Sequence, residues 1–333
     1  MTRVVAIDPR ALDAGALAEA VRLLRAGELV AFPTETVYGL GARALDEAAI
    51  ARVFEAKGRP RSHPLIAHVA GEEDARSLAA EWSARASRLA QAFWPGPLTL
   101  VVPRALHVPA ALAGGADSIA VRAPSHPIAR ALIAALGEPI AAPSANRYQS
   151  ISPTRAEHVV KSLGDRVALV IDGGPCASGI ESTVVDVRGE RAMVLRPGAL
   201  SIAALRAVEP GVEAASRSIA RQDESRASPG MDPRHYAPRA VLRLVSREQA
   251  AAAVARGDGS ERSDVGFIVR NRPLSQLARV YVLPDDPVAF AAELYAALHA
   301  LDDLGVETIL VEDVPADEAW AAVRDRLQRA AHG

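Results

Sequence analysis

The stretch Val167 to Gly198, "VALVIDGGPCASGIESTVVDVRGERAMVLRPG", decides how the fold is read. It contains three short aliphatic and β-branched runs, "VALVIDGG", "STVVDVRG" and "RAMVLRPG", separated only by "PCASGIE" and a single Glu. Such runs bounded by turn residues are strands. Strands that follow one another with no helix between them do not build an all-parallel sheet. Working outward, the pattern changes. Asp13 to Ala26 is an amphipathic helix with Leu17, Val21 and Leu24 on one face. "ELVAFP" is a strand. Asp46 to Lys57 is a second helix, opened by an Asp and closed by Gly58 as its C-cap. "PLIAHV", "LTLVVP" and "SIAVRAP" are strands, with one helix at Glu72 to Ala92 between the first two. A helix at Pro127 to Leu136 leads to the strand "PIAAPSAN", and Ser152-Pro153 has the form of a helix start. Helices alternating with strands, mixed with consecutive strands, predict an α/β layer fold around a mixed sheet.

From Glu213 to Arg239 the periodicity fails, and the polar, Pro- and Gly-containing segment reads as a linker. Beyond it "AVLRLVS", "VGFIVR", "ARVYVL" and "ETILVED" alternate with Ala-rich helices, a second and smaller α/β domain. The expected division is 1–212, a linker 213–239, and 240–333. A length of 333 residues fits two domains. Half of the residues are apolar and the net charge is −2, so any polyanion binding must be local. The one cysteine, Cys176, excludes an intrachain disulfide framework and favours a reducing cytoplasm. The first residues lack a secretory apolar core, and no run is long enough for a membrane span.

The local charge is concentrated in "FEAKGRPRSHPLIAH", Phe54 to His68. Lys57, Arg59 and Arg61 fall within five residues, ahead of His63 and His68. Only two of the 38 basic residues are lysines, Lys57 and Lys161. A lysine kept among arginines supplies a compact point charge that a planar guanidinium does not copy. Lys57 has a structural reading at a helix C-terminus. Arg59 and Arg61 lie past that end and repel it unless an anion sits among them, and a triphosphate suits such a set. "FPTETVYGLGARA" imitates a dinucleotide fingerprint, but its glycines come too late after the strand. It reads as a loop dense in hydroxyls, Thr34, Thr36 and Tyr38, feeding a glycine turn, with a purely local turn as the other reading. Ser144 and Asn146 in "APSAN", Ser182 before "TVVD", Arg196 in "LRPG" and Arg122 in "VRAPSHP" all stand at strand ends, where open α/β sheets bind ligands. No P-loop and no H-E-x-x-H occurs, and no histidine neighbours Cys176 to activate it.

In this order "FPTETVYGLG", "KGRP", "PLIAHV", "WPGPLTLVV", "VRAPSHP", "APSAN", "SPT", "IDGGPC", "GIESTVVD" and "LRPG" resemble the YrdC-type threonylcarbamoyl-AMP synthases. The resemblance covers roughly residues 10 to 205, and "SPGMDPRHYAP" with the C-terminal domain resembles the long form of that family. It implies a twisted open mixed-sheet YrdC-like core and a smaller Rossmann-like α/β domain. It implies that L-threonine, bicarbonate and ATP, with Mg²⁺ on the ATP, give threonylcarbamoyl-AMP and pyrophosphate. A downstream transferase would use that product to modify tRNA, with no stable nucleic-acid complex required of this chain. By motif, Thr34, His68, Arg122, Ala142 and Ser182 are implied for threonine. Lys57, Arg59, Arg61, Ser118, Ser144, Asn146, Ser152 and Arg196 are implied for ATP, and His235 and Tyr236 for a lid. No protein nucleophile is required: Lys57 and Arg59 would neutralise charge while the site templates the reaction. Many family members follow "SAN" with a small residue and glycine, where this chain has "RYQSISPT". The competing class is a non-catalytic RNA-binding or ribosome-assembly factor using the same basic surface, whose binding would be steeply salt-dependent.

Overall fold

The computed structural model describes residues 2–214, 235–256, 260, 263–271 and 278–332. They fall into two compact units. The first holds most of the chain up to residue 214; the second holds Gln149–Ser152, Ser178–Ile180 and the described residues from His235 onward.

The first unit is built on eleven strands. They are β1 (Arg3–Ala6), β2 (Val30–Phe32), β3 (Gly39–Arg43), β4 (Ile66–His68), β5 (Leu98–Pro103), β6 (Ser118–Arg122), β7 (Ile140–Ala141), β8 (Leu169–Asp172), β9 (Thr183–Asp186), β10 (Met193–Arg196) and β11 (Glu213–Ala214). The sheet order is β1-β8-β2-β3-β7-β4-β6-β5-β9-β10-β11. Pairing is mixed: β1–β8, β2–β8, β4–β6, β5–β9 and β10–β11 run parallel, and the other neighbours run antiparallel.

Side-chain alternation sorts the sheet into two faces. Ala31, Leu40, Ala67, Leu100, Val121, Val170 and Val185 join the large core formed with the helices Glu47–Lys57, Ala84–Phe93, Ala156–Leu163 and Ile202–Val208. Val30, Phe32, Ile140, Leu169 and Ile171 point the other way, toward the helices Ala14–Arg25 and Pro127–Leu136. On the β4-β6-β5-β9-β10 half, that second face carries a separate strip: Ile66, Val101, Ala120, Val184 and Leu195. His68, Arg122 and Ser182 each stand two residues from a member of this strip and so lie on its face.

The helix Glu47–Lys57 shows why the sequence was readable here. The Asp46 carboxylate accepts from the Ala48 and Ala49 amides, and Gly58 closes the helix at φ 63°. Four expectations need correcting. Glu72 to Ala92 is two helices, Glu72–Leu78 and Ala84–Phe93, because Ala79 turns extended and bridges Arg104 while Ser83 caps a new start. Ser152-Pro153 is no helix start: the helix begins at Ala156, and the Pro153 carbonyl accepts instead from the Tyr38 amide. Gly39 and Gly41 are not a turn but strand β3. A Cβ on Gly41 would meet the Phe32 ring at 2.8 Å and the Val30 carbonyl at 2.9 Å, so close backbone approach demands glycine. Glu213–Ala214, at the head of the expected linker, pairs with β10 as β11; residues 215–234 lie outside the described set.

The second unit has a four-stranded, all-parallel sheet of β12 (Val241–Val245), β13 (Val265–Arg270), β14 (Val280–Leu283) and β15 (Thr308–Glu312), in the order β12-β15-β13-β14. The helices Arg247–Ala255, Pro287–Asp303 and Ala321–Ala330 accompany it. Within this unit Ser150 bridges Ala237, and the His299 imidazole contacts the Ser152 carbonyl at 3.1 Å. Among the described residues no helix is long and apolar enough to cross a membrane.

Candidate active site

Register places five polar side chains at one end of five neighbouring strands. His68 and Arg122 pair at the carboxyl ends of parallel β4 and β6. Thr99 is the second residue of β5, which is antiparallel to β6; Ser182 precedes β9, which is parallel to β5; and Arg196 ends β10, which is antiparallel to β9. By alternation His68, Thr99, Arg122 and Ser182 share the face of the Ile66–Leu195 strip. Simple alternation would send Arg196 to the opposite face. A register shift between Val194 and Arg196 re-aims it, so that its guanidinium donates to the Ser182 carbonyl at 2.9 Å and to the Ser182 hydroxyl at 3.2 Å. That hydroxyl also meets Thr99 Oγ1 at 2.8 Å. Gly198 permits the approach: a Cβ there would lie 2.4 Å from the Glu181 carbonyl oxygen and the Ser182 carbonyl carbon.

Arg122 is the centre of a second group. It is buried, and it donates to Glu35 Oε1 at 2.6 Å, to Thr36 Oγ1 at 2.9 Å and to the Gly96 carbonyl at 3.4 Å. The Thr34 hydroxyl donates to the Val37 carbonyl at 2.6 Å and accepts from the Thr36 and Val37 amides, which folds the β2–β3 connection into a tight turn. Burial pushes the Glu35 carboxyl up, but the Arg122 charge and its hydrogen bond, with backbone amides including Ser125, outweigh it and hold Glu35 below the usual range. His68 is pushed down to about 3, first by burial and then by the Arg122 charge. It is therefore a neutral imidazole at physiological pH, its Nδ1 3.3 Å from the Ile66 carbonyl. Ala142 lies beside this group on the same face, its amide donating to the Ile66 carbonyl at 3.0 Å.

The cationic knot resolves into three environments. Lys57 is buried and donates to the Ser144 and Asn146 carbonyls at 2.6 and 2.5 Å. Burial, reinforced by the Arg59 charge, pushes its ammonium well below the usual lysine range, against the two carbonyl contacts. Arg59 is buried and donates to the Pro64 carbonyl at 3.1 Å; Arg61 is exposed. Lys57 and Arg59 each meet backbone carbonyls, while the Arg59 charge still works against the Lys57 ammonium. Two of the three donors of the Lys57 ammonium are engaged by carbonyls, which leaves one for a ligand. Continuing the β4–β6 register puts Ser118 beside Pro64, at the knot end of β6 and away from Arg122. Asn146 is buried, and Ser144 bridges Gly39.

Ser152, His235 and Tyr236 belong to the second unit. There the Tyr236 ring stacks on Tyr295 at 5.9 Å, with the His235 ring 4.0 Å away and the Arg326 guanidinium 5.0 Å from its centre. Thr36 was singled out in the hydroxyl loop, but Glu35, Thr99 and Ser125 were not foreseen as site residues. The signal for Glu35 was present: a lone charge inside an otherwise buried run, "AFPTETVYGL". Cys176 is buried, and burial pushes its thiol up, which leaves it a poor nucleophile. Among the described residues no group of three or more His, Cys, Asp or Glu could hold a metal ion.

Comparison with known proteins fits this geometry. A sequence-family model described as "Telomere recombination" matches residues 22–198, and one described as "Threonylcarbamoyl-AMP synthase, C-terminal domain" matches residues 200–332. The threonylcarbamoyl-AMP synthase of Pyrococcus abyssi is 41% identical over 93% of this chain and 92% of its own length. That of Bacillus subtilis is 38% identical over 95% and 93%. The crystal structure of P. abyssi Sua5 complexed with L-threonine superposes with a TM-score of 0.90 at 38% identity, covering 99% of this chain and 98% of that one. Escherichia coli YciO matches with a TM-score of 0.55 at 25% identity, over 62% of this chain and all of its own. With both family models matched and relatives similar from end to end, the chain belongs to the threonylcarbamoyl-AMP synthase family, enzymes of the nucleotidyltransferase type.

Proposed function

We propose that this chain makes threonylcarbamoyl-AMP and pyrophosphate from L-threonine, bicarbonate and ATP, in the cytoplasm, and that a downstream transferase uses the product to modify tRNA. The observation that carries the reading is the convergence of His68, Arg122, Thr99, Ser182 and Arg196 at one end of five neighbouring strands, in a chain of this family.

In this reading the amino-acid carboxylate docks on Arg122. Thr34, Ala142 and Ser182 shape the pocket around the side chain, and neutral His68 accepts a hydrogen bond without adding charge. ATP lies along Lys57, Arg59, Arg61 and Arg196, with Ser118, Ser144 and Asn146 contributing hydroxyl and amide contacts. Mg²⁺ enters as part of the ATP substrate, held by phosphate oxygens and water. The threonine ammonium gives up a proton to solvent, and the free amine takes up the carbon of bicarbonate, with loss of water, to give an N-carboxylate. A carboxylate oxygen attacks the α-phosphorus, and pyrophosphate leaves. No enzyme nucleophile is needed; the chain's part is to hold reactants together and to offset charge moving toward pyrophosphate.

The test is pyrophosphate release from MgATP by purified protein, with bicarbonate and L-threonine each present or omitted and with serine and alanine as controls. Release that needs both threonine and bicarbonate is expected. Release independent of either, or none from folded protein, overturns the reading.

A further inference from the structure

We propose that Glu35 and Arg122 together form a receptor for an α-amino-acid zwitterion, Arg122 taking the carboxylate and Glu35 the ammonium, so that Glu35 selects for the amine. The inference rests on the reading that the amino-acid substrate docks at Arg122.

Three features of the pair lead there. The first is unused capacity. Arg122 has five N–H donors, of which three are engaged: Nε with the Gly96 carbonyl, one terminal nitrogen with Thr36, the other with Glu35. One N–H on each terminal nitrogen remains for a ligand. Glu35 uses Oε1 for Arg122 and Oε2 for the Ser125 amide, at 2.6 and 3.1 Å, and a carboxylate accepts about four hydrogen bonds. The second is access. The Glu35 side chain is 11% exposed against 4% for Arg122, so the carboxylate is the less enclosed member of the pair. The third is charge balance. Arg122 and Glu35 neutralise one another, so a ligand carrying only a carboxylate gains the guanidinium but is repelled by Glu35. A zwitterion meets an opposite charge at each end. Selection then comes from a repulsive element as well as an attractive one. The low-lying Glu35 carboxyl agrees with an ionised partner.

Structurally, Glu35 could serve only to neutralise a buried arginine. The two roles separate in a comparison of ligands. Isothermal titration of the full chain, without ATP, uses L-threonine and its hydroxy-acid analogue, in which hydroxyl replaces the amine. Wild type should prefer threonine, and Glu35→Gln should lower that preference by about tenfold or more, the scale of one hydrogen bond to a charged group. Glu35→Asp, which keeps the charge, should retain most of the preference and guards against misfolding of the glutamine variant. A proportional loss of both ligands in Glu35→Gln, or no change in preference, overturns selection by Glu35 while leaving docking at Arg122 standing. Threonine binding that is unchanged in Arg122→Lys and Arg122→Gln, or absent from wild type, overturns the docking reading itself and the zwitterion receptor with it.

Discussion

Replacing Lys57 by methionine keeps the stem and removes the charge, and it separates two roles that the structure superimposes on one side chain. The Ser144 and Asn146 carbonyls each lose a donor, at 2.6 and 2.5 Å. A buried acceptor stripped of its partner costs about 1–3 kcal/mol. Ser144 keeps part of its satisfaction, because its carbonyl also accepts from the Asn146 amide at 3.0 Å. Against this loss, the desolvation of a buried ammonium, several kcal/mol, is relieved. These opposing terms leave a net change in unfolding free energy of no more than about 2 kcal/mol, so the fold survives. ATP binding has no such compensation. Removing one member of a buried, hydrogen-bonded charge pair costs about 2–3 kcal/mol at the low end, or roughly 30- to 150-fold in affinity. The assays are urea unfolding followed by circular dichroism and titration calorimetry with MgATP. A variant that folds as wild type does and binds ATP within about threefold of it refutes a phosphate role for Lys57, since even one charged hydrogen bond exceeds that change. Unfolding of the variant refutes the compensation of terms.

Three further outcomes are expected. His68 is depressed to about 3 in the folded chain, so below its unfolded value of about 6.5 the unfolded state binds the extra proton. Stability from this group is full above about 6.5 and is lost as pH falls toward 3, about 2 kcal/mol by pH 5; the difference between wild type and His68→Asn in urea unfolding at pH 7 and pH 5 reads it, and parallel pH profiles contradict it. Gly198→Ala drives a Cβ to 2.4 Å from the Glu181 carbonyl and should cost about 1–3 kcal/mol or more, with a raised KM for threonine through displacement of Ser182; wild-type stability and KM would show that the strands do not approach so closely. Gln149 holds φ at 66°, a conformation that favours glycine. Relief of about 1–2 kcal/mol of strain, less about 0.5–1 kcal/mol of glycine entropy, makes Gln149→Gly mildly stabilising, and a lowered urea midpoint is the contrary result.

The readable parts of the sequence were those whose signals are local. Asp46 and Gly58 mark both ends of one helix, Pro127 and Gly137 frame another, and every strand expected beyond residue 240 is present. The misreadings came where a distant partner decides. Nothing near Gly41 says that Phe32 and Val30 will press against it, so a strand read as a turn. Nothing near Ala79 announces its bridge to Arg104, so two helices read as one. Ser152-Pro153 has the local form of a helix start, but the Pro153 carbonyl is taken by Tyr38.

The candidate site divides the same way. Arg122, Ser182 and Arg196 were legible as polar groups at strand ends. That a register shift turns Arg196 toward Ser182 was not. The cationic knot was visible as charge, while the carbonyls that hold Lys57 come from a segment some ninety residues away. Glu35 stood in plain view between two threonines, and only the folded chain shows that Arg122 meets it.

The most direct test follows the carbon. Labelled bicarbonate, L-threonine and MgATP are incubated with the protein, and the products are separated and weighed by mass spectrometry. The expected result is one species containing the label, threonine and AMP together, formed in step with pyrophosphate. Pyrophosphate without such a species, or label that never joins threonine to AMP, contradicts the proposed reaction.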